Sequence, residues 1–391
     1  MFRKLLLLIA CVLGGILLPP VTAAAAEPAS ACALPGRTGW TDEGRATNYG
    51  LFARPLGVVR AVMLFVDFPD APASAAPPGF QTTQPYYDVL VPGARQWYAT
   101  GSFGRLDLQV TRVDRWYRMS QPADSYGFQR GITFSTHAAY IREAVRLADP
   151  DVNFAQYDLV YVVPPRNAAA ITFSPAFIDS SHRAIPADGA AVDLAATFGQ
   201  DMWRWGFKVL NHETGHLFGL PDLYAYSGSP AHRFVGGWDL MGLISGPAPD
   251  YFGWHKWKNG WLDDAQVGCV SQPGSTATVQ LTPVERAGGT KIAVVRTGTT
   301  TAYVVENRRA VLNDSAMCGS GTLIYRVDSA IATGTGPVVV VDATPDGGGT
   351  APCTNLDMAT FGPGQVYTAA GVRIVVLSRS GETDTVEIRR I

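Results

Sequence analysis

Surplus positive charge is the first thing this chain goes without: Lys and Arg number 31 against 33 Asp and Glu, for a formal net charge of -2. Nucleic-acid binders concentrate basic residues on one face or along one helix. No such concentration occurs here, so no nucleic-acid partner is expected. Past residue 26 no run is long and apolar enough to cross a bilayer of roughly 30 Å, which argues against stable membrane insertion. Cysteine is scarce, five in 391 residues, and no two stand in the C-x-x-C pattern of a structural zinc site. No EF-hand-like calcium loop and no internal repeat are present. Charged residues make up only 16% of the chain while apolar ones reach 47%, which removes disorder as a reading. A chain of this length has room for two cores.

What is present begins with an export signal. Arg3 and Lys4 supply a positive end, and Leu5 to Leu18 an apolar run. Pro19 and Pro20 break it, and small residues up to Ala26 offer an Ala-x-Ala cleavage site before Glu27. Loss of residues 1–26 as a signal peptide moves the net charge to about -4 and predicts a secreted protein. Leu8-Ile9-Ala10-Cys11 resembles a lipobox, but cleavage there would leave Val12 to Leu18 on the mature chain, so the ordinary signal is the stronger reading. Cys32, Cys269, Cys318 and Cys353 remain, an even set in an exported chain, which favours two disulfides. Cys318 and Cys353 are expected to pair within the C-terminal part, leaving Cys32 to join the mature N-terminus to Cys269. A Cys32 that ligates a metal to keep the protein latent is the alternative, and no motif around it supports that role.

Along the chain, residues 27–55 form an Ala/Gly/Pro-rich leader segment. Val58 to Phe68 and Tyr157 to Val163 read as buried strands, and Arg105 to Tyr117 alternates as a strand pair would. Helical spacing covers Tyr86 to Tyr98, Thr136 to Leu147 and, most convincingly, Asp201 to Phe218, which Gly219 and Pro221 end. After Leu262 short β-branched runs take over, at Lys291–Arg296, Tyr303–Glu306, Thr322–Val327, Val338–Val341 and Val372–Leu377. This texture predicts an α+β domain over 56–265 and a β-sandwich domain over 266–391. Gly347-Gly348-Gly349 reads as a loop, since no helix pattern follows it.

Residues 212–222 read HETGHLFGLPD. On a helix His212 and His216 share one face, and two imidazoles on adjacent turns can hold one Zn²⁺ at roughly 2.0–2.1 Å each. Glu213 is rotated toward the side where a zinc-bound water would sit, placed to take its proton and pass it to a leaving amine. Gly219 tolerates positive φ, so the chain can turn sharply and return Asp222 as a third ligand, with Pro221 stiffening the return. H-E-x-x-H alone arises by chance in about one chain in a hundred of this length, and Gly219 and Asp222 at fixed offsets lower that roughly a hundredfold more. Two idle histidines on a surface helix is therefore the weaker reading.

HETGHLFGLPDLY followed by GGWDLMG (236–242) closely resembles the immune inhibitor A type of secreted metallopeptidase, the M6 family. The resemblance extends to VMLFVDFPD (62–70), ATGSFGRLDL (99–108), the Y-x-x-E-N-R pattern of Tyr303 to Arg308, and SGTLIYRVD (320–328). It implies a metzincin-like zincin catalytic domain ahead of the β-sandwich, and a secreted zinc-dependent endopeptidase acting on polypeptides; a monomer is expected. His212, His216 and Asp222 would be the zinc ligands, Glu213 the general base, and Met241 the methionine of a tight turn beneath the metal. Two departures stand out. The third ligand is Asp where the commoner metzincin pattern has His, and Gly242-Leu243 follow Met241 where some relatives carry a ligating tyrosine. Tyr251 is a candidate for stabilising an oxyanion, with packing the stronger reading, and His232 and His255 are expected to be surface or core residues. Competing readings are an inactive zincin-like extracellular binding protein, against which the intact Glu213 argues, and a glycan-binding sandwich, against which the few aromatics there argue.

Overall fold

The computed structural model describes residues 27–37, 40–246, 250–345, 347, 349, 353, 354 and 356–391. The expected signal segment 1–26 and Gly348 lie outside the described residues. Over the first two thirds of the chain the elements are β1 (Gly57–Asp67), α1 (Gln84–Gly101), β2 (Leu106–Arg118), α2 (Phe134–Ala148), β3 (Leu159–Val163) and β4 (Ala176–Ile178). The short pair β5 (Pro186–Ala187) and β6 (Ala190–Ala191) follows, then β7 (Leu194–Thr197), α3 (Met202–Trp205), α4 (Phe207–Leu217) and α5 (Gly253–Lys258).

Five of these strands form one sheet in the order β2-β1-β3-β7-β4. The first four run parallel, and β4 alone is antiparallel at the edge. β1 and β3 sit inside the sheet with helices on both faces, which is why they read as unbroken apolar runs. α1 and α4 cover one face, with Tyr98, Leu210 and Phe218 in its core. α2 covers the other with Ile141 and Val145. The 105–117 segment is a single strand parallel to β1, where a strand pair was expected. A register shift between Met63 and Phe65 accounts for its irregular alternation. The expected 201–218 helix is broken at Gly206 into α3 and α4.

The C-terminal part is all β: β8 (Val267–Val270), β9 (Thr276–Leu281), β10 (Ile292–Arg296), β11 (Thr301–Arg308), β12 (Gly321–Asp328), β13 (Val338–Val340), β14 (Val366–Ala369), β15 (Val372–Ser380) and β16 (Thr383–Arg390). They make a sheet β13-β12-β11-β10-β8 and a sheet β14-β15-β16-β9. One apolar cluster lies between them, with Val295, Val305 and Ile324 from the first and Ile374, Val386 and Ile388 from the second. The chain is thus mixed α+β and mostly β. The largest core cluster runs across position 265, since Phe252 and Trp254 pack in it with Val294 and Tyr325.

Apart from a 3₁₀ turn at Ala29–Cys32, the described residues of 27–55 are irregular, and they are built into the molecule. Cys32 is joined to Cys269 and Cys318 to Cys353, the two pairings expected. The Glu27 carboxylate accepts the backbone N–H of Ser271 at 3.0 Å. Farther along, the Trp254 indole and the Lys258 ammonium donate to the Glu43 and Gly44 carbonyls at 3.1 and 2.7 Å. The backbone N–H of Ala53 caps the carbonyl of Leu217 at the end of α4. Among the described residues no helix is long and apolar enough to cross a membrane.

Candidate metal centre

α4 carries His212 and His216 one turn apart and ends in a Schellman cap, with Leu220 N–H bonding to Gly215 O and Gly219 N–H to His216 O. Gly219 takes φ 91° at this cap, and a β-carbon there would stand 3.0 Å from Thr47 and 3.3 Å from Phe52 of the N-terminal segment. The turn sends the chain back under the helix end, and Leu223 N–H then pairs with Met241 O at 3.0 Å. That return delivers Asp222 to the two histidines.

The geometry of the three side chains is specific. His212 donates Nδ1–H to Leu240 O at 3.0 Å, and His216 donates Nδ1–H to Leu220 O at 2.8 Å. A carbonyl can only accept, so both rings turn Nε2 toward the same place. There Asp222 Oδ1 lies 3.0 Å from His212 Nε2 and 3.2 Å from His216 Nε2. The three donor atoms all fall within 4.8 Å of one another. Zinc bonds of 2.0–2.1 Å at tetrahedral angles separate donors by about 3.3 Å, and backbone carbonyls behind metal-ligating histidines fix the tautomer as here. The donor set fits Zn²⁺.

Electrostatics agree with the crowding. Burial pushes the Asp222 carboxyl up, but His216 and His212 beside it more than reverse this and hold it well below the usual carboxylate range. Burial lowers the His216 imidazole, and Asp222 outweighs that and raises it to about 9. A cation entering the site therefore displaces protons. Glu213 is buried, and burial raises its carboxyl to about 7, with the charges of His212 and His216 pulling the other way.

Met241 lies beneath the helix: a β-carbon on Gly215 would stand 2.7 Å from its sulfur. Its turn is organised by Asp239, which no local feature of the sequence marks. Asp239 Oδ1 accepts Met241 N–H at 2.7 Å, and Oδ2 accepts Phe252 N–H at 2.6 Å and His255 Nδ1–H at 2.8 Å. His255 Nε2 donates to Glu43 Oε1 at 3.1 Å, so this histidine is a buried core residue between two acids, as expected. Tyr251 is buried below α4 with its hydroxyl on Asn211 O at 3.2 Å, which gives it the packing role. His232 bonds to Gly242 O at 3.0 Å, away from the three donors. Tyr226 was not singled out in the sequence, yet its hydroxyl donates to Asp222 Oδ2 at 2.6 Å.

The buried His255 gives a stability test. Burial lowers its imidazole, and Asp239 and Glu43 outweigh this to raise it from 6.5 to about 10. A folded-state value above the unfolded one contributes stability that is complete below about pH 6.5 and is lost as pH climbs through about 10. The thermal unfolding midpoint of the parent is expected to fall across that window. His255→Asn should start lower and fall less, and parallel profiles for the two proteins would contradict the assignment.

No family model and no curated protein matches this chain. Among solved structures, the crystal structure of a catalytically inactive OgpA from Akkermansia muciniphila, in complex with an O-glycopeptide (glycodrosocin) substrate, aligns at 11% identity and a TM-score of 0.27. That alignment covers 74% of this chain and 92% of the other.

Proposed function

We propose that this protein is a secreted zinc-dependent endopeptidase, with His212, His216 and Asp222 as the metal ligands and Glu213 as the general base. One observation carries the reading: two histidines, each with Nδ1–H spent on a backbone carbonyl, converge their Nε2 atoms on one carboxylate oxygen. Bound there, Zn²⁺ supplies the Lewis acidity that makes water a nucleophile near neutral pH and polarises a peptide carbonyl. Glu213 holds the proton of the attacking water and returns it to the leaving amine. Its burial keeps its basicity closer to neutral than that of a surface carboxylate. Met241 and Asp239 hold the floor of the site, so the ligands stay in place while substrate enters. β4 is the edge of the five-stranded sheet and packs beside α4, where an extended polypeptide can add by backbone hydrogen bonds. Two disulfides fit the oxidising space into which the signal would export the chain.

The test is hydrolysis of unfolded casein by the signal-free protein, followed by removal of metal with a chelator and reloading with Zn²⁺. Internal cleavage should vanish on chelation and return with about one equivalent of zinc per chain. Zinc-loaded protein that leaves casein intact would move the inactive binding protein to the front.

A further inference from the structure

Asp222 is held by a part of the chain more than a hundred residues away. The loop at 329–337, between β12 and β13, reaches over to the metal centre from the C-terminal β sheets. There Asp222 N–H donates to Thr333 Oγ1 at 2.9 Å, and Gly334 N–H donates to Asp222 O at 2.9 Å. Tyr226 N–H in turn donates to Gly334 O at 3.0 Å. The ring of Tyr226 lies directly on Gly334, where a β-carbon would stand 2.3 Å from it, so only glycine leaves room for the ring. From that position the Tyr226 hydroxyl reaches Asp222 Oδ2 at 2.6 Å and lies 3.3 Å from Thr333 Oγ1. The backbone of Asp222 is thus pinned on both sides, and one of its two oxygens is engaged by a phenol. Only Oδ1 is left facing the histidines.

Building on the zinc reading above, we propose that Thr333, Gly334 and Tyr226 are positioning residues that present Asp222 to the metal through a single oxygen and so set metal affinity. An unheld carboxylate can rotate, bind through both oxygens or turn to solvent, and each alternative costs ordering entropy on binding. Partners behind metal ligands are commonly worth about 10–100-fold in affinity. The C-terminal part therefore contributes a loop, 329–337, to the candidate metal centre. Tyr226 stays 57% exposed while holding Asp222.

The experiment is competition for Zn²⁺ against a chromogenic chelator of known affinity, using the full signal-free chain and the variants Tyr226→Phe, Thr333→Val and Thr333→Ser. Tyr226→Phe and Thr333→Val are expected to bind zinc about 10–100-fold more weakly with little change in thermal midpoint of the metal-free form. Thr333→Ser keeps the hydroxyl and should stay near the parent. Co²⁺-loaded Tyr226→Phe should show shifted visible bands, because a carboxylate freed at Oδ2 changes the ligand field, whereas a purely structural role would leave the bands in place. If the parent binds zinc and both hydroxyl-removing variants bind within threefold of it, the positioning role is overturned while the zinc reading stands. A parent that binds no zinc overturns the zinc reading itself, and the positioning role with it.

Discussion

Glu213→Gln is expected to retain about one zinc ion per chain while kcat on an unfolded protein substrate drops by about 10³–10⁴-fold. The change keeps the shape and the hydrogen-bonding reach of the side chain and removes only its capacity to take a proton. Glu213 is not among the convergent donors that could hold a metal, which are His212, His216 and Asp222; it sits buried beside them. Zinc content and activity must therefore separate. Burial raises this carboxyl, and a cation held at the three donors would oppose that shift by favouring the ionised form. A variant that loses zinc along with activity would mean that Glu213 is structural. Retained activity would mean that the base lies elsewhere.

Arg308→Met carries the largest expected loss of stability. Arg308 is fully buried, and its guanidinium meets Glu306 at 2.9 Å, Glu285 at 3.2 Å and Asp314, which it contacts still more closely. Burial and the adjacent Asp314 push the Glu285 carboxyl well above its usual range, and the arginine's charge is the main force pulling it back. The cluster also ties β11 to the chain leaving the Met241 turn, because Glu306 accepts Gly253 N–H at 2.7 Å and Asp314 accepts Asp250 N–H at 2.9 Å. Removing one partner from a buried ionic group strands charges that no water can reach, at a cost of about 3–5 kcal/mol. Set against a typical total of about 5–15 kcal/mol, this should lower the thermal midpoint by about 10 °C and cut soluble yield. A midpoint within about 2 °C of the parent would show that the cluster adjusts its protonation at little cost.

The parts of this molecule that sequence made legible are those whose signal is local. β1 and β3 are apolar because both faces of their sheet are covered, and the 212–222 segment carries its ligands and its turn within eleven residues. The two disulfides accord with the even count of cysteines past residue 26. What stayed hidden depends on contacts across long separations. Asp239, His255 and Glu43 form one buried row, yet each looks like an ordinary polar residue in its own neighbourhood. Thr333 stands in a Gly/Thr loop with no motif, and only folding brings it to Asp222. Arg308 ends a pattern that the family resemblance picked out, but nothing local distinguishes a buried arginine from a solvated one at a strand end. β9 and β16 are hidden because their outward-facing polar residues interrupt the apolar runs: Thr383 to Ile388 alternates half-buried and buried positions. The break at Gly206 was passed over for the opposite reason, since helical spacing continues on both sides of it.

The metal itself gives the most direct test. Crystals of the zinc-loaded, signal-free protein, measured on both sides of the zinc absorption edge, should give one strong anomalous peak per chain. That peak is expected within bonding distance, about 2.0–2.2 Å, of His212 Nε2, His216 Nε2 and Asp222 Oδ1. A peak elsewhere, or none at these three atoms in protein that carries stoichiometric zinc, would contradict it.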